Sequence, residues 1–247
     1  MSHPLLEAKD LRIAFYGVTA VDGITFQINE GEFVAIIGPN GSGKTTFLNL
    51  CSGYLKPDSG EVCLDGISIT AMAPRSIAHR GIARAFQIPQ LFLDQTVLDN
   101  LLIAMAAKQG IWSWFESLGA GRRREEAMEL LALVGLQDQA GQFADALPEG
   151  KRKLLDIVLA LALKPRLILL DEPTSGVSSI ERFALMETLM KALRQAKVTA
   201  LFVEHDMEVV QRYSDRVAVW DAGRVLVQGP PSEVFKNAEV LHKVVGV

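Results

Sequence analysis

The sequence predicts an α/β fold: a mostly parallel core sheet, an antiparallel β-subdomain near the N-terminus and an inserted helical subdomain. Three observations carry this. Phe33-Val-Ala-Ile-Ile37 is a short, wholly apolar run that ends in a glycine-rich loop, the pattern of a central strand covered on both faces. Leu167-Ile-Leu-Leu170 and Ala200-Leu-Phe-Val203 are similar runs separated by a helical segment from residue 180 to 196. Strands alternating with helices imply parallel pairing through right-handed crossovers. Between residues 90 and 160 apolar residues recur instead at three- and four-residue spacing, which marks helices.

The elements follow in order. Residues 5–14 and 21–28 alternate in β fashion, with Ile24, Phe26 and Ile28 on one face and Thr25 and Gln27 on the other, so the chain opens antiparallel. From Phe47 through Leu48 and Leu50 the pattern is helical and stops near Gly53. Pro57-Asp-Ser-Gly60 is a turn sequence, and Asp65-Gly66 after Glu61-Val-Cys-Leu64 signals a hairpin. Helices are expected over Val97 to Ala107, Arg122 to Val134 and Lys151 to Leu163. A late hairpin is expected from Val217-Ala-Val-Trp220, the Asp221-Ala-Gly223 turn and Arg224-Val-Leu-Val227. Residues 1–247 read as a single domain with residues 90–160 as its helical insert, and no internal repeat is visible.

Composition narrows the function classes. With 247 residues, 49% of them hydrophobic, the chain can bury a substantial core. A charged fraction of 22% and a net charge of −4 give no basic field of the kind that drives nucleic-acid binding, so no nucleic-acid partner is expected. The two cysteines, Cys51 and Cys63, lack zinc-site spacing and read as buried apolar residues in a reducing compartment. The start, MSHPLLEAKDLRIAFYG, shows no secretory signal, so a cytoplasmic protein is expected. The most apolar stretch, Leu154 to Leu170, is broken by Lys164, Pro165 and Arg166. It suits a buried helix followed by a strand better than a membrane span, and any membrane role must come through a partner.

Gly38-Pro39-Asn40-Gly41-Ser42-Gly43-Lys44-Thr45 matches the phosphate-loop pattern G-x-x-x-x-G-K-[S/T] between a strand and a helix, as that pattern requires. The glycines let successive backbone N–H groups turn inward, and the following helix presents its positive end to phosphates. Residues 38–45 together with Thr46 are therefore the expected nucleotide cradle, with Lys44 reaching the β- and γ-phosphates and Thr45 helping to hold Mg2+. The loop alone does not choose among kinases, GTPases and ATPases. Asp171 and Glu172 end the run Leu167-Ile-Leu-Leu170, which places two acids at the carboxyl edge of a parallel sheet beside the phosphate loop. Asp171 would support Mg2+ through its water shell, and Glu172 would polarise the attacking water as a general base.

With these residues on the page the chain resembles the ABC ATPase family of P-loop NTPases over essentially its whole length. Ala85-Phe-Gln87 resembles the Q-loop, Asp171-Glu-Pro-Thr-Ser-Gly176 runs into a D-loop, and Glu204-His205-Asp206 resembles the switch-histidine motif. A lone glutamine or histidine would ordinarily be a surface or core residue; it is the joint order that is specific. The resemblance implies that Gln87 senses the γ-phosphate and Mg2+, that His205 contacts the γ-phosphate, and that Lys44, Gln87, Glu172 and His205 form the catalytic set. It implies Thr45, Gln87 and Asp171 as the metal-site residues, ATP and Mg2+ as ligands, and an aromatic residue stacking on adenine, either Phe15 or its neighbour Tyr16.

Arg80-Gly-Ile-Ala-Arg84, Val203-Glu-His-Asp-Met-Glu-Val-Val210 and Gln228-Gly-Pro-Pro-Ser-Glu-Val-Phe235 are similar to the branched-chain amino acid importer ATPases and their relatives for urea, amides or organic acids. That resemblance implies transmembrane permease partners, an indirect partner in a periplasmic or extracellular solute-binding protein, and a place on the cytoplasmic face of the inner membrane.

One motif departs from the family. The signature Leu-Ser-Gly-Gly-Gln is here Leu147-Pro148-Glu149-Gly150-Lys151. In the family each ATP lies between one chain's phosphate loop and the other chain's signature. Pro148 offers neither a hydroxyl nor an N–H, and Glu149 places a carboxylate where the partner's triphosphate should arrive, so this signature should hold ATP poorly. The residue after Ser175-Gly-Val177 is Ser178, where the family usually has an acid or amide. A heterodimer with one strong and one weak ATP site is expected. Two other functions were weighed. A soluble ABC ATPase of DNA repair or translation would need a coiled-coil insertion or a second cassette; a regulator that binds ATP without hydrolysing it is opposed by Glu172 and His205 and favoured by Pro148-Glu149.

Overall fold

The computed structural model describes residues 4–109 and 121–237. Strands β1 (Leu6–Phe15), β2 (Val18–Ile28), β4 (Ser59–Leu64) and β5 (Ile67–Ser68) form a four-stranded sheet in the order β2-β1-β4-β5, with every pairing antiparallel. The predicted opening and the Asp65-Gly66 hairpin are both present. Strands β3 (Phe33–Ile37), β6 (Ile82–Ala85), β7 (Leu167–Asp171), β8 (Thr199–Val203), β9 (Arg216–Asp221) and β10 (Arg224–Gly229) form the second sheet, in the order β10-β9-β3-β8-β7-β6. Its pairings are parallel except at the edge, where β10 runs antiparallel to β9 as the predicted late hairpin.

The core sheet is covered on both sides, which is why its strands are apolar runs rather than alternations. Phe33, Ala35 and Ile37 of β3, Ile168 and Leu170 of β7, and Phe202 of β8 face one buried cluster. Val34, Ile36, Leu167, Leu169, Leu201 and Val203 face the other. Each such side chain, fully buried, contributes ~1.5–3 kcal/mol by removing apolar surface from water.

The first cluster is closed by helices α3 (Val97–Gln109), α4 (Gly121–Leu133), α5 (Glu149–Ala162) and α6 (Ser179–Gln195). These are the helices expected from periodicity. The second is closed by the antiparallel sheet and α1 (Lys44–Cys51). Here Trp220 lies 4.9 Å from Phe47 and 6.3 Å from Phe26, ring centre to ring centre. These aromatic contacts tie the core sheet, α1 and β2 together and so fix the helix that follows the phosphate loop. Helix α1 starts at Lys44, three residues before the first apolar residue that revealed it, because its opening turn belongs to the loop's ligand-facing surface. Cys51 and Cys63 are free and buried, and burial pushes the Cys51 thiol up, out of reach of physiological titration.

Periodicity did not foreshadow α2 (Pro74–Arg80), β6 or α7 (Met207–Tyr213). Helix α2 buries only Ile77 and ends on Gly81 in a left-handed cap, so it has no apolar stripe to read. The remaining helix, α8 (Pro231–Val234), is a single turn packed under β10. No described helix is long and apolar enough to cross a membrane.

Candidate active site

Strands β3, β8, β7 and β6 are consecutive neighbours, so the loops leaving their carboxyl ends share one edge of the sheet. Strand β3 delivers residues 38–43 and α1, β6 delivers Gln87, β7 delivers Asp171 and Glu172, and β8 delivers Glu204 to Asp206. The separated sequence motifs thus converge at one place.

Within residues 38–46, Ser42 and Lys44 are buried, whereas Pro39, Asn40, Gly41 and Thr45 are exposed and Thr46 is half-buried. Gly43 has φ 95°, and a β-carbon there would lie 2.2 Å from the Ala20 carbonyl oxygen, so only glycine lets the loop pass under that backbone. Lys44 Nζ donates to the Gly38 and Pro39 carbonyls, 2.8 Å each. Its pKa is held down by burial, a shift that Glu172 and Asp171 oppose. The ammonium thus rests on the loop's own carbonyls.

The two acids have opposite environments. Asp171 is buried: its Oδ1 accepts from the Thr45 hydroxyl at 3.2 Å and its Oδ2 from Arg84 Nη2 at 2.9 Å, with both side chains of the ion pair 6% exposed or less. Arg84 also donates to the Asn49 side chain and to Ser52 Oγ on α1, and its guanidinium lies 4.9 Å from the centre of the Phe86 ring. One arginine therefore ties β6 and α1 to the Asp171 carboxylate at the end of β7.

Glu172 faces outward. Its Oε2 accepts from Gln87 Nε2 at 2.9 Å and its Oε1 lies 2.9 Å from His205 Nε2. Its backbone φ is 50°, a left-handed conformation that costs ~1–2 kcal/mol for a residue with a β-carbon. His205 is fixed from both sides. Buried Glu204 accepts from the N–H and hydroxyl of Thr174 at 3.0 and 2.8 Å and from the His205 N–H at 3.2 Å. Asp206 caps α7 by accepting from Glu208 and Val209 N–H and pairs with Arg182.

The signature end is built differently. Pro148 stands at the N-cap of α5 with no side-chain capping bond. Glu149 is exposed at the first turn of α5, and its carboxylate lies beside the D-loop of its own chain, where a β-carbon on Gly176 would be 2.2 Å from Glu149 Oε1. Ser178 accepts from the Glu181 N–H and donates to its carboxylate, the N-cap that starts α6.

Of the adenine candidates, Phe15 is 39% exposed and Tyr16 fully exposed with φ 50°. Both rings face solvent in the β1–β2 turn, open to a base. The residues expected at the metal site, Thr45, Gln87 and Asp171, offer a metal oxygen donors only. Among the described residues no three histidine, cysteine or acidic side chains are placed to hold a metal ion together. This donor set suits a hard cation held largely by water and phosphate, as Mg2+ is.

Four supporting residues had no assigned role in the sequence reading: Arg84, Lys153, Asp156 and Glu204. Their common signal is a charge inside an apolar pattern: Arg84 within Ile82–Ala85, and Lys153 and Asp156 on the buried face of α5.

Comparison with known proteins decides the family. A model of the ABC transporter family matches residues 21–175. The chain belongs to the ABC transporter family. It is 34% identical over 253 residues to the high-affinity branched-chain amino acid transport ATP-binding protein BraF of Pseudomonas aeruginosa, covering 100% of this chain and 99% of that one. It is 33% identical, with the same coverage, to the LivG protein of the same description in Escherichia coli K12. Among solved structures it matches an ATP-binding cassette of an ABC transporter in its ADP conformation with a TM-score of 0.86 and 30% identity, covering 99% of this chain and 100% of that one. A nucleotide-free cassette matches with a TM-score of 0.84 at 29% identity, covering 97% and 98%. The protein is accordingly an ATP-binding, ATP-hydrolysing transporter subunit that works with membrane permease subunits.

Proposed function

We propose that this subunit powers an importer for branched-chain amino acids or a related small polar solute, and that residues 38–46, 87, 171, 172 and 205 are its hydrolytic site. The observation that carries the site is the Glu172 carboxylate, bracketed at 2.9 Å by Gln87 and His205 beside the phosphate loop. Full-length similarity to BraF and LivG supports the solute class.

In this reading adenine stacks on Phe15 or Tyr16 and the triphosphate enters residues 38–46, drawing Lys44 off the Gly38 and Pro39 carbonyls. Thr45, Asp171 and Gln87 would hold Mg2+, which when bound neutralises charge on the β- and γ-phosphates. Release of Gln87 and His205 to the γ-phosphate frees Glu172 to accept a proton from the attacking water, while His205 steadies the charge that builds on the phosphoryl oxygens. The helical block from residue 90 to 160 acts as an inserted subdomain that carries this change to the permease. The subunit works at the cytoplasmic face of the inner membrane beside a second ATPase subunit with an intact signature, and a periplasmic or extracellular solute-binding protein delivers the solute.

The test is steady-state Mg-ATP hydrolysis by the purified chain alone and with its permease partners, with Lys44→Ala and Glu172→Gln variants as controls. Hydrolysis should fall ~100-fold or more in Glu172→Gln while nucleotide binding persists. Robust turnover by the pure homodimer would overturn the heterodimer assignment, and undiminished turnover in Glu172→Gln would overturn the general base.

A further inference from the structure

Lys153 is 3% exposed, and neither the phosphate loop nor the signature calls for it. Its ammonium donates to the Glu172 carbonyl oxygen at 3.1 Å and to Ser175 Oγ at 2.9 Å. That carbonyl also accepts from the Ser175 N–H at 3.1 Å. Glu172 carries the left-handed φ of 50°, and Pro173 after it already disfavours the right-handed helical alternative. An extended backbone remains open to a glutamate in this position and would swing its carboxylate away from Gln87 and His205. The Glu172 N–H donates to the Val203 carbonyl at 3.1 Å, and the buried Lys153 cation on the Glu172 carbonyl adds a second, charged restraint; strained dihedrals persist only where the surroundings over-determine them.

The same helix grips the loop twice. One turn before Lys153, Glu149 lays its carboxylate on Gly176, and residues four apart share a helix face. Lys153 also sits within the fields of Glu149, Glu204, Glu172 and Asp156, so it is the counter-charge of an acidic cluster and its loss would leave those carboxylates mutually repelling.

We propose that Lys153 is a positioning residue for hydrolysis: from α5 it locks the backbone of Glu172 in the conformation that aims its carboxylate at the nucleotide, making the base and the signature helix of one chain a single body. This rests on Glu172 being the general base.

The test uses the full-length chain as wild type, Lys153→Met and Lys153→Arg, with Lys153→Gln substituted should Lys153→Met fail to fold. Amide hydrogen exchange over residues 172–178 is read first and needs no transport partner. The Ser175 amide should exchange at least ~10-fold faster in Lys153→Met, with the Leu169 amide, in the β7 ladder, as internal control; Lys153→Arg should restore protection. Hydrolysis in the assembled transporter should then show kcat down ~10-fold with KM for ATP within ~2-fold, and no further loss when Lys153→Met is added to Glu172→Gln. Unchanged Ser175 exchange, an unchanged kcat, or an equal loss in the Glu172→Gln background would each overturn the proposal. Should Glu172→Gln alone leave hydrolysis intact, the base assignment fails, while the exchange result still decides whether Lys153 holds the loop.

Discussion

The phosphate-loop edge and the signature end of α5 make opposite use of charge. At the loop edge the charged side chains of the site already have partners: Lys44 rests on carbonyls, Asp171 on Thr45 and Arg84, Glu172 on Gln87 and His205. Binding there is an exchange of partners, so little reorganisation opposes it. At the signature end Pro148 supplies no cap and Glu149 turns back onto its own D-loop. Pro148 also brings no hydroxyl to that end. The comparison teaches that one chain carries a densely paired polar edge and a sparsely capped helix start within the same fold.

Removing the counter-charge at the densely paired edge should have the largest effect on the folded protein. Arg84→Met strands Asp171 as an unpaired buried carboxylate, which costs ~3–5 kcal/mol. Urea unfolding should show this as a fall in midpoint at unchanged slope, and a loss under ~1 kcal/mol would mean that solvent reaches the pair.

The next effect reads the other side of the comparison through Asp156, which lies on the signature helix yet holds the Q-loop. Its carboxylate accepts from Phe86 and Gln90 N–H at 3.1 Å each, and burial pushes its pKa up to about 6 from 3.8. A raised carboxyl pKa means the folded state binds the proton more tightly than the unfolded one. Its contribution is therefore fully present below pH ~4 and is lost as pH rises through ~6, a change of about 3 kcal/mol. Wild-type stability minus that of Asp156→Asn, followed from pH 4 to 8 by urea unfolding, should fall across that window. A flat difference would remove Asp156 from the pH response.

The smallest effect restores the weaker end. Pro148→Ser combined with Glu149→Gly should raise ATP hydrolysis by the isolated chain ~2–5-fold, the worth of about one modest hydrogen bond. A decrease would show that the grip of Glu149 on the D-loop matters more than the missing serine.

What was legible in the sequence follows the same physical divide. Apolar runs and glycine-lysine chemistry are local signals, so β3, β7, β8, the phosphate loop and the Asp171-Glu172 pair could be read directly. The roles of Gln87 and His205 came from the order of motifs, since neither residue type is diagnostic alone. Short elements escaped because they bury too little: α2 has one buried side chain, and α7 is a seven-residue helix set by its Asp206 cap. The closeness of Glu149 to Gly176 was not legible, because a side chain's neighbours in space are set by the fold, and one-dimensional alignment assigns it only a place in a motif.

The two backbone bonds to Asp156 carry a mechanical consequence. The Q-loop hangs from α5 at Phe86 and Gln90, while the Glu172 carbonyl is held by Lys153 of the same helix. Where a load on one anchorage reaches the other through that helix, the coupling free energy runs equally in both directions. A permease jammed by its cargo would then be felt as back-pressure on nucleotide affinity, in the way a stalled shaft is felt at the engine.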